Sequence, residues 1–78
     1  MTKGTAEHVH SLLLASSTAI NRSIALVQEG ADESEFRAYR LAAGRLMAKL
    51  MDDLIMPLYR EYPDLVPPEL GPEFLRNP

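Results

Sequence analysis

The segment spanning residues 32–62 constrains the fold of this chain more than any other part of it. It carries two separate sets of apolar or small side chains, each recurring at intervals of three or four residues, which is the period of one face of an α-helix. The first stripe is Phe36, Tyr39, Ala43, Leu46, Met47, Leu50, Leu54 and Leu58, and the second stripe is Leu41, Gly44, Ala48, Met51, Ile55, Tyr59 and Tyr62. A single helical hairpin is expected to cover only one such face. The second stripe therefore predicts that the chain associates with a further partner, most simply itself.

The size of the chain also favours self-association. It has 78 residues, enough for one small domain, and no cysteine. A core of this size supplies only about 3–5 kcal/mol of stability, so small folds are usually reinforced by disulfides, metals or oligomerisation. The lack of cysteine excludes a disulfide and a thiolate-bound metal, and it suits a reducing cytoplasm. We therefore expect a cytoplasmic protein that is reinforced by oligomerisation.

Charge and hydropathy exclude several classes of function. The longest purely apolar run, residues 12–15, is far shorter than the roughly 20 residues that span a bilayer, and the N-terminus does not have the pattern of a signal peptide. A net charge of −3 argues against general nucleic-acid binding. Residues 36–51 are nevertheless locally basic, because they contain no acid and four bases: Arg37, Arg40, Arg45 and Lys49. We expect no membrane partner and no nucleic-acid partner.

Helical periodicity predicts a first helix over about residues 5–29. Thr5 is the predicted N-cap, and Gly30 is the predicted left-handed residue that ends the helix. The apolar stripe of this helix is Val9, Leu12, Leu13, Ser16, Ile20, Ser23, Ile24 and Val27, with Ala19 and Leu26 at its edge. This stripe provides a face against which a second helix can pack.

A second helix is predicted over about residues 32–62. Asp32 and Glu35 have the spacing of a capping box, which marks its start. Pro57 cannot donate a backbone hydrogen bond, so we expect a kink near that residue. The connection between the two helices is so short that they must run antiparallel. Residues 1–62 are therefore predicted to form one helical hairpin.

The composition changes at residue 63, since five of the six prolines lie within residues 63–78. Such a segment cannot form a regular helix or a central strand. It also contains large apolar residues, which is too many for a plain disordered linker: Leu65, Val66, Leu70, Phe74 and Leu75. We expect this tail to pack along the bundle or against another protein.

Glu7 and His10 form a Glu-x-x-His pair, a spacing that two-metal carboxylate bundles use together with carboxylates from neighbouring helices. Antiparallel pairing would bring this end of the first helix near Asp52 and Asp53. Both side chains, however, are expected to project from the polar side of the helix, within its first turns. The pattern therefore favours a solvated helix end without a metal, and a carboxylate–histidine metal site is the third hypothesis for function.

Arg40 is the candidate ligand-binding residue. It lies at the border of the first stripe, one turn from Phe36, and a partly buried arginine requires a carboxylate or an anionic ligand. This observation gives the second hypothesis, a helical bundle that binds an anion or small ligand, with or without catalysis. No carboxylate is placed on the facing stripe of the first helix. The pattern therefore favours an arginine whose stem covers the core and whose guanidinium reaches solvent.

The remaining basic residues do not form a recognisable nucleic-acid site. Arg37, Arg45 and Lys49 lie together on the outer side of the second helix, but no aromatic residue is interleaved with them for base stacking. The sequence contains neither Gly-x-Ser-x-Gly nor a glycine-rich phosphate loop. We therefore expect a solvated basic face and no catalytic residue.

Gly44 and Ala48 lie four residues apart at the centre of the second stripe. A glycine within a helix costs about 1 kcal/mol relative to alanine, and a close approach of a second backbone would account for its presence. We expect these two residues to lie where a helix of a second chain approaches most closely. The predicted dimer interface is Leu41, Gly44, Ala48, Met51, Ile55 and Tyr59.

These observations together predict an all-α fold, in which an antiparallel two-helix hairpin dimerises into a four-helix bundle and carries an extended proline-rich tail. The predicted function is that of a non-enzymatic interaction or regulatory protein that acts as a homodimer. The tail, residues 63–78, is a possible contact for another protein. We expect no cofactor.

Overall fold

A computed structural model of the chain describes residues 1–70. Two long helices pack against each other as an antiparallel hairpin, α1 (Lys3–Gly30) and α2 (Glu33–Leu50). The path continues through a π-helical turn, Met51–Ile55, into the short helix α3, Met56–Glu61. Two 3₁₀ turns follow, Pro63–Leu65 and Pro68–Leu70. No strand occurs among residues 1–70, so the predicted all-α class and the helical hairpin are confirmed.

The caps of α1 differ from the prediction. Thr2 is the N-cap, and its side-chain oxygen accepts a hydrogen bond from the Thr5 amide at 3.1 Å. The helix thus begins earlier than predicted, and the assignment of Thr5 as the cap was wrong. At the other end Gly30 is the last helical residue rather than a left-handed one beyond the helix. The chain leaves α1 through Ala31, which is extended and donates to the Val27 carbonyl at 2.9 Å.

The start of α2 follows the sequence closely. Asp32 is the N-cap, and its carboxylate accepts a hydrogen bond from the Glu35 amide at 2.8 Å, which confirms the predicted cap. Glu33 also forms an i,i+4 ion pair with Arg37 at 2.9 Å in the first turn. Negative side chains at a helix N-terminus interact favourably with the helix dipole. These contacts explain why the second helix begins only two residues after the first one ends.

The π-helical turn lies directly before Pro57. In this turn the Met56 amide donates a hydrogen bond to the carbonyl of Met51, which is five residues earlier in the chain. In a regular α-helix the acceptor would be the carbonyl four residues earlier. Proline has no amide hydrogen to offer the carbonyl four residues earlier, and its ring would crowd that carbonyl in a regular α-helix. The wider turn removes this conflict, so the chain remains helical through Pro57 and into α3.

The π turn changes which stripe faces α1. One inserted residue rotates everything after it by about 100° relative to what precedes it. Ile55 and Tyr59 from the second stripe are each only 1% exposed, whereas Leu54 from the first stripe is 53% exposed. The hairpin thus buries part of each stripe: Ala43 and Leu58 from the first, and Ile55 and Tyr59 from the second. The assumption that a single hairpin covers only one of the stripes was wrong.

The best-buried residues lie mainly at the open end of the hairpin. Ala6 is the one buried residue of α1, and Ala43 is the one buried residue of α2. The other three lie in the π turn and α3. The buried apolar residues among residues 1–70 are Ala6, Ala43, Ile55, Leu58 and Tyr59. None of these helices is long and apolar enough to cross a membrane. A short list of buried residues means that much of the apolar surface of the hairpin remains in contact with solvent.

The first part of the tail is attached to the start of α1. Lys3 forms an ion pair with Asp64 at 2.5 Å, and the Tyr62 hydroxyl donates a hydrogen bond to the carbonyl of Met1. Leu65 and Val66 are half-buried. Residues 71–78, including the predicted contacts Phe74 and Leu75, lie outside the described residues. The described portion of the tail therefore folds back toward the N-terminus of the chain.

Candidate interaction surfaces

His10 forms the main polar contact between the start of α1 and α3. Its Nε2 lies 2.8 Å from the hydroxyl of Tyr59, and the two rings meet edge to face with their centroids 5.2 Å apart. Tyr59 is almost fully buried, and this burial raises the pKa of its phenol above the usual 10.0. His10 is half-buried rather than directed to solvent. The expectation that its side chain projects away from the core was wrong.

The Glu-x-x-His pair is therefore divided between two environments. Glu7 is exposed, whereas His10 contacts a core tyrosine. Asp52 and Asp53 are exposed within the π turn. Within residues 1–70 no group of three or more histidine, cysteine, aspartate or glutamate side chains is arranged to hold a metal ion. The arrangement supports a structural role for His10.

Arg40 lies on the exposed side of α2. Its guanidinium carbon is 5.9 Å from the centre of the Phe36 ring, which is within the range of a cation–π contact. The half-buried ring of Phe36 thereby contacts the guanidinium group of Arg40, which is an exposed residue. The charged end of Arg40 remains available to solvent or to a ligand.

An open depression of about 590 Å³ lies along the outer side of α2. It is lined by three small or aliphatic residues and by three arginines. We call it the arginine groove, and its residues are Arg37, Arg40, Leu41, Gly44, Arg45 and Ala48. A Cβ atom added at Gly44 would meet no other atom within 4 Å. Nothing within the single chain therefore requires a glycine at this position.

The six residues of the predicted dimer interface fall into two groups. Leu41, Gly44 and Ala48 are exposed in the arginine groove. The other three follow the start of the π turn, where Met51 is half-buried and Ile55 and Tyr59 are buried within the chain. The structure thus does not bring the six residues together on one surface. Contact of a second chain with Gly44 and Ala48 stays a prediction.

A second exposed surface was not recognised in the sequence. We call it the leucine face; it consists of large apolar side chains that are 40–67% exposed, namely Leu12, Leu26, Tyr39, Leu46 and Leu54. Three of them belong to the first stripe, which α1 was expected to cover. Pro57 could have revealed the exposure of Leu54, because a helical pattern that continues past a proline indicates a local change in helical register. The other four residues precede the turn, and no comparable signal in the sequence indicates that they are exposed.

The hydroxyls of α1 are used within the helix or between the two helices. The Ser16 hydroxyl donates to the Leu12 carbonyl at 2.8 Å, and the Ser23 hydroxyl lies 2.6 Å from the Ile20 carbonyl. Apart from Tyr59, whose hydroxyl contacts His10, no buried residue among residues 1–70 has a polar or charged side chain.

No protein-family model, curated protein or solved structure matches this chain. The function is therefore inferred from the two exposed surfaces, the arginine groove and the leucine face.

Proposed function

We propose that this protein is a non-enzymatic helical interaction protein that acts in the cytoplasm as a homodimer, with two hairpins forming a four-helix bundle. The observation that carries this proposal is the mismatch between the small core and the exposed apolar surface. Leu12, Leu26, Leu46 and Leu54 are 66%, 67%, 57% and 53% exposed, respectively. Leucine is a side chain that usually forms hydrophobic cores, yet three of these leucines lie exposed on α1 and α2 and the fourth, Leu54, lies exposed in the π turn.

The energetics support burial of these leucines by a partner. Burying a leucine fully is worth about 1.5–3 kcal/mol, and a core of this size alone provides only about 3–5 kcal/mol. Covering four half-exposed leucines would therefore contribute about 3–6 kcal/mol per chain, which is comparable to what the core of one chain provides. Isolated exposed leucines are common on protein surfaces, but a contiguous apolar patch marks an interaction site.

Sedimentation equilibrium at micromolar concentration tests the proposal. The expected mass is twice the 8.7 kDa of one chain. Circular dichroism on the same sample gives the helix content, so that a folded monomer can be told apart from an unfolded chain. A species of one chain mass with full helicity and a cooperative thermal transition would contradict the proposal.

The arginine groove supports a second candidate function, the binding of an anionic ligand through Arg40. Its supporting observation is that three arginines line one depression without an acidic residue among the lining groups. Titration with inorganic phosphate, followed by NMR, tests it. We expect amide shifts confined to the groove, which are lost in Arg40→Ala and retained in Arg22→Ala, a control on the exposed side of α1. Equal shifts near every basic residue would contradict specific binding.

A further inference from the structure

One flank of α1 is free of charge along its whole length. Its residues follow one another at intervals that alternate between four and three, which is the heptad spacing of helices that pair by knobs-into-holes packing. We call them the α1 heptad stripe: Thr5, Val9, Leu12, Ser16, Ala19, Ser23, Leu26 and Gly30. Small residues, Ser16, Ala19 and Ser23, occupy the middle of the stripe, and Leu12 and Leu26 lie on either side of them, so that the stripe provides both large side chains and the space to receive them.

The α1 heptad stripe lies on the same side of the hairpin as Tyr39 and Leu46, the two residues of α2 that belong to the leucine face. The hydroxyls of Ser23 and Tyr39 are 2.7 Å apart, which places these two residues next to each other on one side. Leu46 follows Tyr39 by seven residues and so lies on the same flank of α2. The stripe and the leucine face therefore form one continuous surface in the middle of the hairpin.

The two ends of the hairpin extend this surface. Near the connection between the helices, Leu26 and Tyr39 line the same depression. At the open end Leu54, brought to this side by the π turn, lines a depression together with Val9 and Leu13. The molecule measures 44 × 25 × 21 Å. A face that runs its full length offers on the order of 800 Å², the area that each partner contributes to a standard protein interface.

We infer that a second copy of this chain occupies the leucine face, and that the two α1 helices cross antiparallel at Ala19. This inference rests on the proposed homodimer and adds to it the surface and the register. Leu12 and Leu26 are each seven residues from Ala19. A two-fold axis through Ala19 therefore places Leu12 of each chain opposite Leu26 of the other, as an isologous interface requires. The small side chain of Ala19 allows the two helices to approach closely.

Charge distinguishes the leucine face from the arginine groove as the site for a second copy. No charged residue occurs in the α1 heptad stripe. Pairing through the groove would gather the arginines of both chains along one seam. Three arginines line the groove. Among residues 1–70 only Arg37 of the three forms an ion pair with a carboxylate, and Arg40 and Arg45 form none. Like charges brought together in an interface oppose association, so self-pairing is favoured at the leucine face.

Single cysteine substitutions test this register directly, because the natural chain contains no cysteine. Three exposed alanines on helices serve as matched positions: Ala19 in the α1 heptad stripe, Ala25 on another side of α1, and Ala48 in the arginine groove. Each variant is purified reduced, checked for helicity, and oxidised with diamide under identical conditions. Disulfide-linked dimer is then measured on a non-reducing gel.

We expect Ala19→Cys to form the linked dimer at least about tenfold faster than either control, since a disulfide needs Cα atoms within about 4.4–6.8 Å of each other. Faster linkage of Ala48→Cys, or equal rates for all three variants, would overturn the inference. Sedimentation of the unsubstituted protein distinguishes a failure of the proposed homodimer from a failure of the proposed contact surface. A natural chain that is dimeric while Ala19→Cys fails to link retains the proposed function but contradicts this surface, and a monomeric natural chain contradicts both.

Discussion

The Tyr59 hydroxyl lies 2.8 Å from Nε2 of His10, which joins two residues that are 49 positions apart in the sequence. This contact connects the start of α1 to α3. It exists only because the π turn rotates Tyr59 toward α1, where the ring is almost completely buried. The same rotation turns Leu54 outward. One local change of helical register thus creates both the core at the open end and part of the leucine face.

Removing only the hydroxyl of Tyr59 tests the importance of this contact. We expect Tyr59→Phe to lower the free energy of unfolding by about 1 kcal/mol, because a hydrogen bond in a partly buried site is lost while the ring remains. Chemical denaturation gives this free energy. Tyr39→Phe is a matched control for the loss of a hydroxyl at a more exposed tyrosine. An equal or smaller effect at Tyr59 than at Tyr39 would contradict a structural role for the contact.

Deleting one residue tests the explanation of the π turn. Asp53 is exposed within the turn. In a chain that lacks Asp53 and also carries Pro57→Ala, the helix can continue regularly while Ile55 and Tyr59 still face α1, so we expect this variant to remain folded with a melting temperature similar to that of Pro57→Ala alone. Deletion of the exposed residue Ala42 cannot be absorbed in this way, because it rotates Phe36 relative to Ala43. Thermal melts measure the stability of both deletion variants. Equal destabilisation by the two deletions would show that the π turn does not accommodate one extra residue in an otherwise α-helical segment.

The ion pair between Lys3 and Asp64 makes the stability of the fold depend on pH. The hydrogen bond from Lys3 is the main cause that lowers the pKa of Asp64 below its usual 3.8. Since the folded-state pKa is the lower one, the pair stabilises the fold above pH 3.8, and this contribution is lost as the pH falls through the folded-state value. We expect Asp64→Asn to melt below the natural chain at neutral pH, with a difference that shrinks in acid. A difference that is constant from pH 7 to pH 2 would contradict this assignment, and Asp52→Asn serves as the control.

Exchanging leucine for glutamate tests the two surfaces against each other. Leu12 belongs to the leucine face and Leu41 to the arginine groove, and both are more than half exposed in the single chain. We expect Leu12→Glu to raise the dimer dissociation constant by about 100-fold or more, because an unpaired buried charge costs at least about 3 kcal/mol. Leu41→Glu should leave the dimer intact. Sedimentation velocity over a range of concentrations measures both dissociation constants. A dimer weakened by Leu41→Glu but not by Leu12→Glu would place the dimer interface in the arginine groove.

The helical hairpin follows from the sequence because its signals are local. The periodic apolar residues of α1 and α2 and the cap at Asp32 act within a few residues of one another. The start of α1 was placed too late because Thr2 and Thr5 are both good capping residues. No local rule separates two such candidates when a first turn can form after either of them.

The place of Leu54 in the leucine face could not be predicted because it depends on the rotation that the π turn introduces. Pro57 indicated a disturbance of the helix, but the sequence pattern does not distinguish a kink from an inserted residue. Without this rotation, Ile55 and Tyr59 appear to share one face with Gly44 and Ala48, and Leu54 appears to face α1. The contact of Tyr59 with His10 has the same origin, because it depends on the register of two distant segments.

Thermal unfolding at several protein concentrations tests the central claim, an obligate homodimer, most directly. Unfolding of a dimer yields two chains, so each tenfold increase in concentration stabilises the folded form by about 1.4 kcal/mol. For two chains of this combined size we expect the melting temperature to rise by about 3–5 °C per tenfold increase. A melting temperature that is unchanged from about 1 to 100 μM, with cooperative loss of helicity, would show that the single hairpin is stable alone and would contradict the account.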